Sequence, residues 1–141
     1  MKKFISLLLL FIPVILTATP TALTVTKLSE TSANIPWENA DNANGNSALN
    51  NNGDVFFLFK NGSGVSTATV TITAQSAAPS VSGYGPLTKS NVTVSLAASG
   101  EEMVGPFNAL VWNNSSDQII VSYAGDASAD VDVAALRAVK Y

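Results

Sequence analysis

Short apolar–polar alternations, each closed by Gly, Asn or Pro, run through this chain from residue 54 to its end. In 66–74, STATVTITA, Val70 and Ile72 alternate with Thr69, Thr71 and Thr73. A period of two puts the aliphatic pair on one face and the threonines on the other, the signature of a half-buried strand. The same alternation recurs in 91–97 through Val92, Val94 and Leu96, and in 22–28, where Leu23, Val25 and Lys27 alternate with Thr24, Thr26 and Leu28. Residues 54–60, DVFFLFK, are apolar on both faces, which suits a central strand with both faces buried. NGSG at 61–64 turns the chain after it. Further runs are a short segment within SGEEMVGPF (99–107), ALVW (109–112) read as a strand, QIIVSYA (118–124) after the turn NNSSD, and DVDVAALRAVKY (130–141). Ala134, Ala135, Leu136 and Ala138 imitate a helical turn in the last run, but Val131, Val133 and Val139 favour a strand. Seven or eight short strands at this spacing, with no convincing helix, predict an all-β fold: a single antiparallel β-sandwich or jelly-roll-like domain.

The gap at 29–53, SETSANIPWENADNANGNSALNNNG, breaks the pattern and holds eight Asn between Asn34 and Asn52. Asn and Gly tolerate positive φ, so the stretch reads as successive turns in one long loop. Connections beyond about 12–15 residues are uncommon inside compact domains and tend to be functional. Ile35, Pro36 and Trp37 are the expected point at which this loop is pinned to the domain.

The chain opens with Lys2 and Lys3 followed by a mostly apolar run from Phe4 to Leu16. That run is interrupted by Ser6 and Pro13 and falls short of the roughly 20 residues a membrane span needs, so no stable anchor is expected. It matches the basic and apolar regions of a secretory signal, but the cleavage site is poor: cutting after Ala22 puts Pro20 at −3, and cutting after Ala18 puts Leu16 there. The alternative is a start assigned too far upstream. Either way 1–22 is set apart as a leader and 23–141 as one domain, which is enough chain for one core.

Composition narrows the chemistry. Charged residues are 12% of the chain, against about a quarter in a typical domain. The net charge is −3, and no basic face for nucleic acid is expected. The chain has no His and no Cys, which removes Ser-His-Asp and Cys-His catalysis, imidazole and thiolate metal sites, and disulfides. Glu101 and Glu102 are neighbours whose side chains point to opposite faces of a strand, so they do not form a glycosidase pair and read as a solvated turn. Asp126, Asp130 and Asp132, or Asp41 with Asn42, Asn44 and Asn46, do not follow the EF-hand order of calcium ligands. Asn61, Asn91, Asn113 and Asn114 head N-x-[ST] sequons, relevant only on a eukaryotic secretory route. Trp37, Tyr84, Trp112 and Tyr123 lie in separate segments and read as core or anchor packing before they read as a sugar platform. The chain is therefore not expected to be an enzyme, and no cofactor or metal is expected.

In order along the chain stand ALTVTKLS, then NADNANGNSALNNNGDVFFLFKNGSG, then EEMVGPFNALVWNNSSDQIIVSYAG, and finally VDVAALRAVKY. In these segments, across nearly all of 22–141, the chain resembles a family of small tailed-bacteriophage virion proteins. These are the β-sandwich decoration, or cement, proteins of icosahedral heads. The resemblance implies a structural protein on the capsid exterior that binds the lattice of the major capsid protein as a trimer. Family members begin near ALTVTKLS, and a protein assembled onto heads in the cytoplasm has no use for export, so the leader is read as no functional export signal. A cement protein needs a rigid sandwich, an edge strand or arm that pairs with a neighbour, and several modest contacts that gain strength together. On that reading Leu23 and Val25 of the arm, Ile35 and Trp37 of the loop, and Glu101, Glu102, Met103 and Phe107 of EEMVGPF are the expected partner contacts. The competing class is a secreted or cell-surface β-sandwich binding module, an adhesin or carbohydrate-binding domain.

Overall fold

The computed structural model describes residues 18–28, 34–75, 80–81, 85–86 and 89–138. The leader up to residue 17, Tyr84 and Val139 lie outside the described residues. The elements in chain order are β1 (Thr21–Leu23), β2 (Val25–Leu28), β3 (Glu38–Asn39), β4 (Asn46–Leu49), β5 (Val55–Asn61) and β6 (Ala68–Thr73). There follow β7 (Ser80–Val81), β8 (Gly85–Pro86), β9 (Val92–Leu96), β10 (Glu101–Val104), the single helical turn α1 (Ala109–Trp112), β11 (Gln118–Ala124) and β12 (Val131–Ala138). A 3-10 turn over Ser128–Asp130 leads into β12.

The expected all-β sandwich-like domain is what forms. One sheet runs β1-β4-β11-β6-β9 and the other β10-β5-β12-β2, with β3 sharing the β2 side of β12; β7 and β8 make a separate small ladder. Neither large sheet is purely antiparallel, because β1 pairs with β4 and β2 with β12 in parallel. The run 22–28, expected as one strand, is two: β1 lies in the first sheet, β2 in the second, and the chain crosses between them at Thr24. Period-two alternation survives the crossing because both sheets turn their inner faces to one core. Leu23 is buried, and Val25 packs against the same core cluster.

That core is built from alternate residues. Val55, Phe57 and Phe59 on β5, Val70 and Ile72 on β6, Leu96 on β9, Ile119 and Val121 on β11, and Val131, Val133 and Ala135 on β12 are all buried and form one cluster. The Phe57 and Phe59 rings stack with centroids 5.7 Å apart, and Phe107 meets Phe57 at 5.8 Å and Trp112 edge-on at 5.1 Å. The segment ALVW is not a strand. The Asn108 side chain accepts from the Leu110 N–H and caps a helical turn that delivers Trp112 to the core.

The loop at 29–53 is likewise more structured than its composition suggests. It contains β3 and β4, and β4 is a central strand between β1 and β11. Its Asn46 and Ser47 are buried, and Asn46 accepts from the Asp41 N–H and donates to the Thr21 carbonyl. A buried polar side chain that finds backbone partners does not look like strand interior in a hydrophobicity pattern. Thr21 and Ala22, assigned by sequence to the leader, pair with Asn46 and Ser47 in the first sheet.

Candidate functional site

The two outer faces of the sandwich differ in chemistry. The outward positions of the first sheet are rich in hydroxyls: Thr69, Thr71 and Thr73 alternate with buried residues on β6, Thr93 and Ser95 are exposed on β9, and Ser122 is exposed on β11, with Ile120 of β11 and half-exposed Leu49 of β4 among them. The outward positions of the second sheet have an apolar centre beside a charged row of Glu101, Lys60 and Asp132. Met103 pairs with Leu58 and Leu58 with Ala134, while Phe56 pairs with Leu136. Ala134 and Leu136 are buried although they face away from the central cluster, so this side supports a second, smaller apolar layer with half-buried Phe56 and Leu58. The expectation that strand 54–60 is covered on both faces therefore holds, fully for Phe57 and Phe59 and in part for Phe56 and Leu58.

Ile35 and Trp37 approach this layer. Trp37 precedes β3, whose Glu38 and Asn39 pair with Val133 and Asp132 of β12, so the register brings Trp37 level with Ala134. Trp37 is half-buried and Ile35 is 38% exposed, and the Trp37 N–H donates to the Ile35 carbonyl at 3.1 Å. Met103 is 68% exposed on β10, the strand that ends the second sheet. Glu101 and Glu102 lie on the same strand rather than in a turn; Glu101 stands 3.8 Å from the Lys60 ammonium. Leu58, Phe59, Glu101, Glu102 and Met103 bound a shallow cleft of about 200 Å³.

Two of the expected contacts are almost wholly buried. Leu23 and Phe107 are buried, the first on the inner side of β1 and the second among Phe57 and Trp112. Both are core residues. The Gly-Pro break before Phe107 marked a change of direction, and the direction is inward.

The opposite lateral edge holds a cleft that sequence reasoning missed. Leu23, Val25, Leu49, Asn51 and Arg137 enclose about 270 Å³ where β1 and β2 part into their separate sheets. Arg137 continues the inward series Val131, Val133, Ala135 on β12, so a half-buried guanidinium stands where the alternation calls for an aliphatic side chain. Its register partner on β2 is exposed Lys27. The break in alternation at Arg137 was the available signal, and the loop composition hid Leu49 and Asn51.

The polar clusters are structural. Asn50 is fully buried: its amide donates to the Phe107 carbonyl at 2.9 Å and to Asn113 Oδ1 at 2.8 Å, and its oxygen accepts from the Val55 N–H at 3.1 Å. Asn61, a sequon residue, is also buried and donates to the carbonyls of Ser66, Leu96 and Ala97, which makes it a turn brace and not an exposed acceptor for sugar. Asp41 Oδ1 accepts from the Ala43 and Asn44 N–H groups, and Oδ2 from the Thr21 hydroxyl. These bonds, the Thr21 one foremost, hold its carboxyl at about 2. Among the described residues no group of three or more acidic, His or Cys side chains is placed to hold a metal.

The described aromatics do not form a platform. Trp112 is in the core with the Lys89 ammonium 5.6 Å from its ring centroid. The Tyr123 hydroxyl is buried without a partner, and burial, with the Asp41 charge second, pushes its pKa up. Among the described residues no helix is long and apolar enough to cross a membrane.

The fold and surface define an all-β sandwich-like domain whose distinctive features lie at its two lateral edges and on one outer face. Comparison with family models, with curated proteins and with solved structures returns no match.

Proposed function

We propose that this chain is a structural virion protein that binds the outside of an assembled phage capsid lattice and stabilises it. The resemblance of the ordered segments to those of the decoration proteins supplies the reading. The observation that carries it into the structure is the inequality of the faces: hydroxyls predominate on the first sheet, whereas Phe56, Leu58 and exposed Met103 give the second sheet an apolar outer patch beside the charged row Glu101, Lys60 and Asp132, with Ile35 and Trp37 at its margin. Such a face gives modest affinity alone. Repeated around a lattice it gains from high effective local concentration, so that each interface can stay below the roughly 1,200 Å² of a stable pair.

Stabilisation follows by mass action, since a ligand that binds only the assembled shell disfavours its dissociation. Heads lacking the protein are expected to assemble but to release DNA at a lower temperature. Adding back the purified protein restores the lost stability, and Trp37→Ala weakens the rescue. Thermal release of packaged DNA with and without added protein is the test. Failure to bind heads, together with binding on a glycan array, would replace this reading with the secreted binding module.

A further inference from the structure

We propose that copies of this chain associate head to tail, the acidic β10 edge of one copy docking on the basic β1/β2 seam of the next. The two surfaces close opposite ends of the second sheet, whose order begins at β10 and ends at β2. Their charges are opposite. The β10 edge presents exposed Glu101 and Glu102, of which Glu101 already faces the Lys60 ammonium at 3.8 Å and Glu102 carries the edge's uncompensated charge, while the seam presents Lys27 and Arg137. Glu38, the carboxylate nearest the seam on β3, already accepts from the Thr24 N–H at 2.9 Å.

Strand directions satisfy the condition for such a contact. β10 is antiparallel to β5, β5 is antiparallel to β12, and β12 is parallel to β2, so the two end strands run the same way. Rotation about an axis along the strands preserves direction, so β10 of one copy meets β2 of the next in parallel and the sheet continues from copy to copy. A heterologous contact of this kind closes into a ring when the rotation permits.

Side-chain parity agrees. Glu102 and Val104 pair with Phe59 and Phe57 and so belong to the inward set, as do Val25 and Arg137, which oppose or follow Ala135. In a continued sheet Glu102 and Val104 of one copy come to the same side as Arg137, Lys27 and Val25 of the next. With Glu102 level with Lys27, its carboxylate meets the Lys27 ammonium, and Arg137 stands one strand further in at the same level, where its side chain lines the cleft. Met103 falls on the other side, beside Thr26 and Leu28. The register also leaves the Glu101 and Met103 backbone groups facing outward. The Asn61 N–H bonds the Gly100 carbonyl, and alternate residues of an antiparallel edge turn away from their partner.

The charges decide which edges meet. Two β10 edges together would set Glu against Glu, and two seams would set Arg137 and Lys27 against their copies. Like charges on an edge suppress symmetric pairing, and opposite charges select the heterologous pair. Lys27 stands exposed on the end strand and Arg137 adds a second cation behind it.

The experiment is sedimentation velocity on the full chain without capsids, alone and with reversed charges. The wild type is expected to associate. Glu102→Arg or Arg137→Glu should each weaken association about tenfold or more, and the double reversal should restore it. Thermal melts accompany each variant, and if Arg137→Glu does not melt cooperatively, Lys27→Glu at its exposed neighbour takes its place. A monomeric wild type, association indifferent to both reversals, or a double variant that stays dissociated while the singles melt normally would each overturn the proposal. The result is separable from the capsid reading: a chain that associates through these edges but binds no heads sinks that reading and leaves this one standing.

Discussion

The Thr21 hydroxyl donates to Asp41 Oδ2 at 2.6 Å, tying the start of β1 to the turn that precedes β4. The Thr21 N–H adds a bond to the Gly45 carbonyl at 3.0 Å. Residue 21 therefore belongs to the folded domain. A chain beginning at Thr19 is expected to melt like the full protein, whereas one beginning at Leu23 loses two of the three paired residues of β1 and melts lower. Comparing the two melts checks this; identical transitions would return Thr21 to the leader.

The same contact sets a pH dependence. Asp41 is held at about 2, below its ordinary 3.8, by the Thr21 hydroxyl first and the Asn44 N–H next. A depressed carboxylate contributes its stability above the unfolded value and loses it as pH falls through the folded one. The contribution is thus complete above about pH 4 and disappears towards pH 2. An NMR titration of the Asp41 carboxyl should show a midpoint near 2, and Thr21→Val should move it upward. A midpoint at the ordinary value would show that the hydroxyl is turned away in solution.

Asn50 joins three segments from inside the protein. Replacing it with Ala strips a partner from the Val55 N–H, the Phe107 carbonyl and Asn113 at once. Buried groups left unpaired cost about 1–3 kcal/mol each, so Asn50→Ala should cost on the order of 3 kcal/mol in urea denaturation. Asn50→Asp turns an acceptor towards two acceptors and should fare no better.

Phe57 is wholly buried, stacked on Phe59 and tilted against Phe107. Phe57→Ala is expected to cost about 3–5 kcal/mol, a large part of a small domain's stability. A denaturation midpoint shifted by the equivalent of less than about 1 kcal/mol would mean that β5 is no central strand.

Gly45 sits at φ +79°, and a Cβ there would run into the Val121 carbonyl of β11. Gly45→Ala meets both strain and overlap, and it should destabilise more than Gly64→Ala, whose added methyl meets open space. Parallel melts of the two variants decide it.

The sequence by itself determined the parts of this protein that depend on neighbours along the chain. Alternation in β6 and β9 is local and periodic, and in β6 it separated inward Val70 and Ile72 from outward Thr69, Thr71 and Thr73 without any partner strand, while the doubly apolar run of β5 marked a central strand. Composition likewise excluded histidine and cysteine chemistry. Tertiary structure decided the rest. Asn46 and Ser47 became strand interior because Thr21, 25 residues away, pairs with Asn46 and accepts from its amide, while the nearby Asp41 N–H satisfies its oxygen. ALVW became a helical turn because Asn108 caps it and the space beside Phe107 accepts Trp112. Nothing local distinguishes Phe107, which is buried, from Met103, which is exposed four residues earlier. The run 22–28 was divided between two sheets because β4 and β12, far along the chain, offered separate edges. A period can be read from one segment, whereas a pairing partner is selected among all the edges the folded chain presents. The placement of Glu102 and Arg137 at opposite ends of one sheet is a property of that selection.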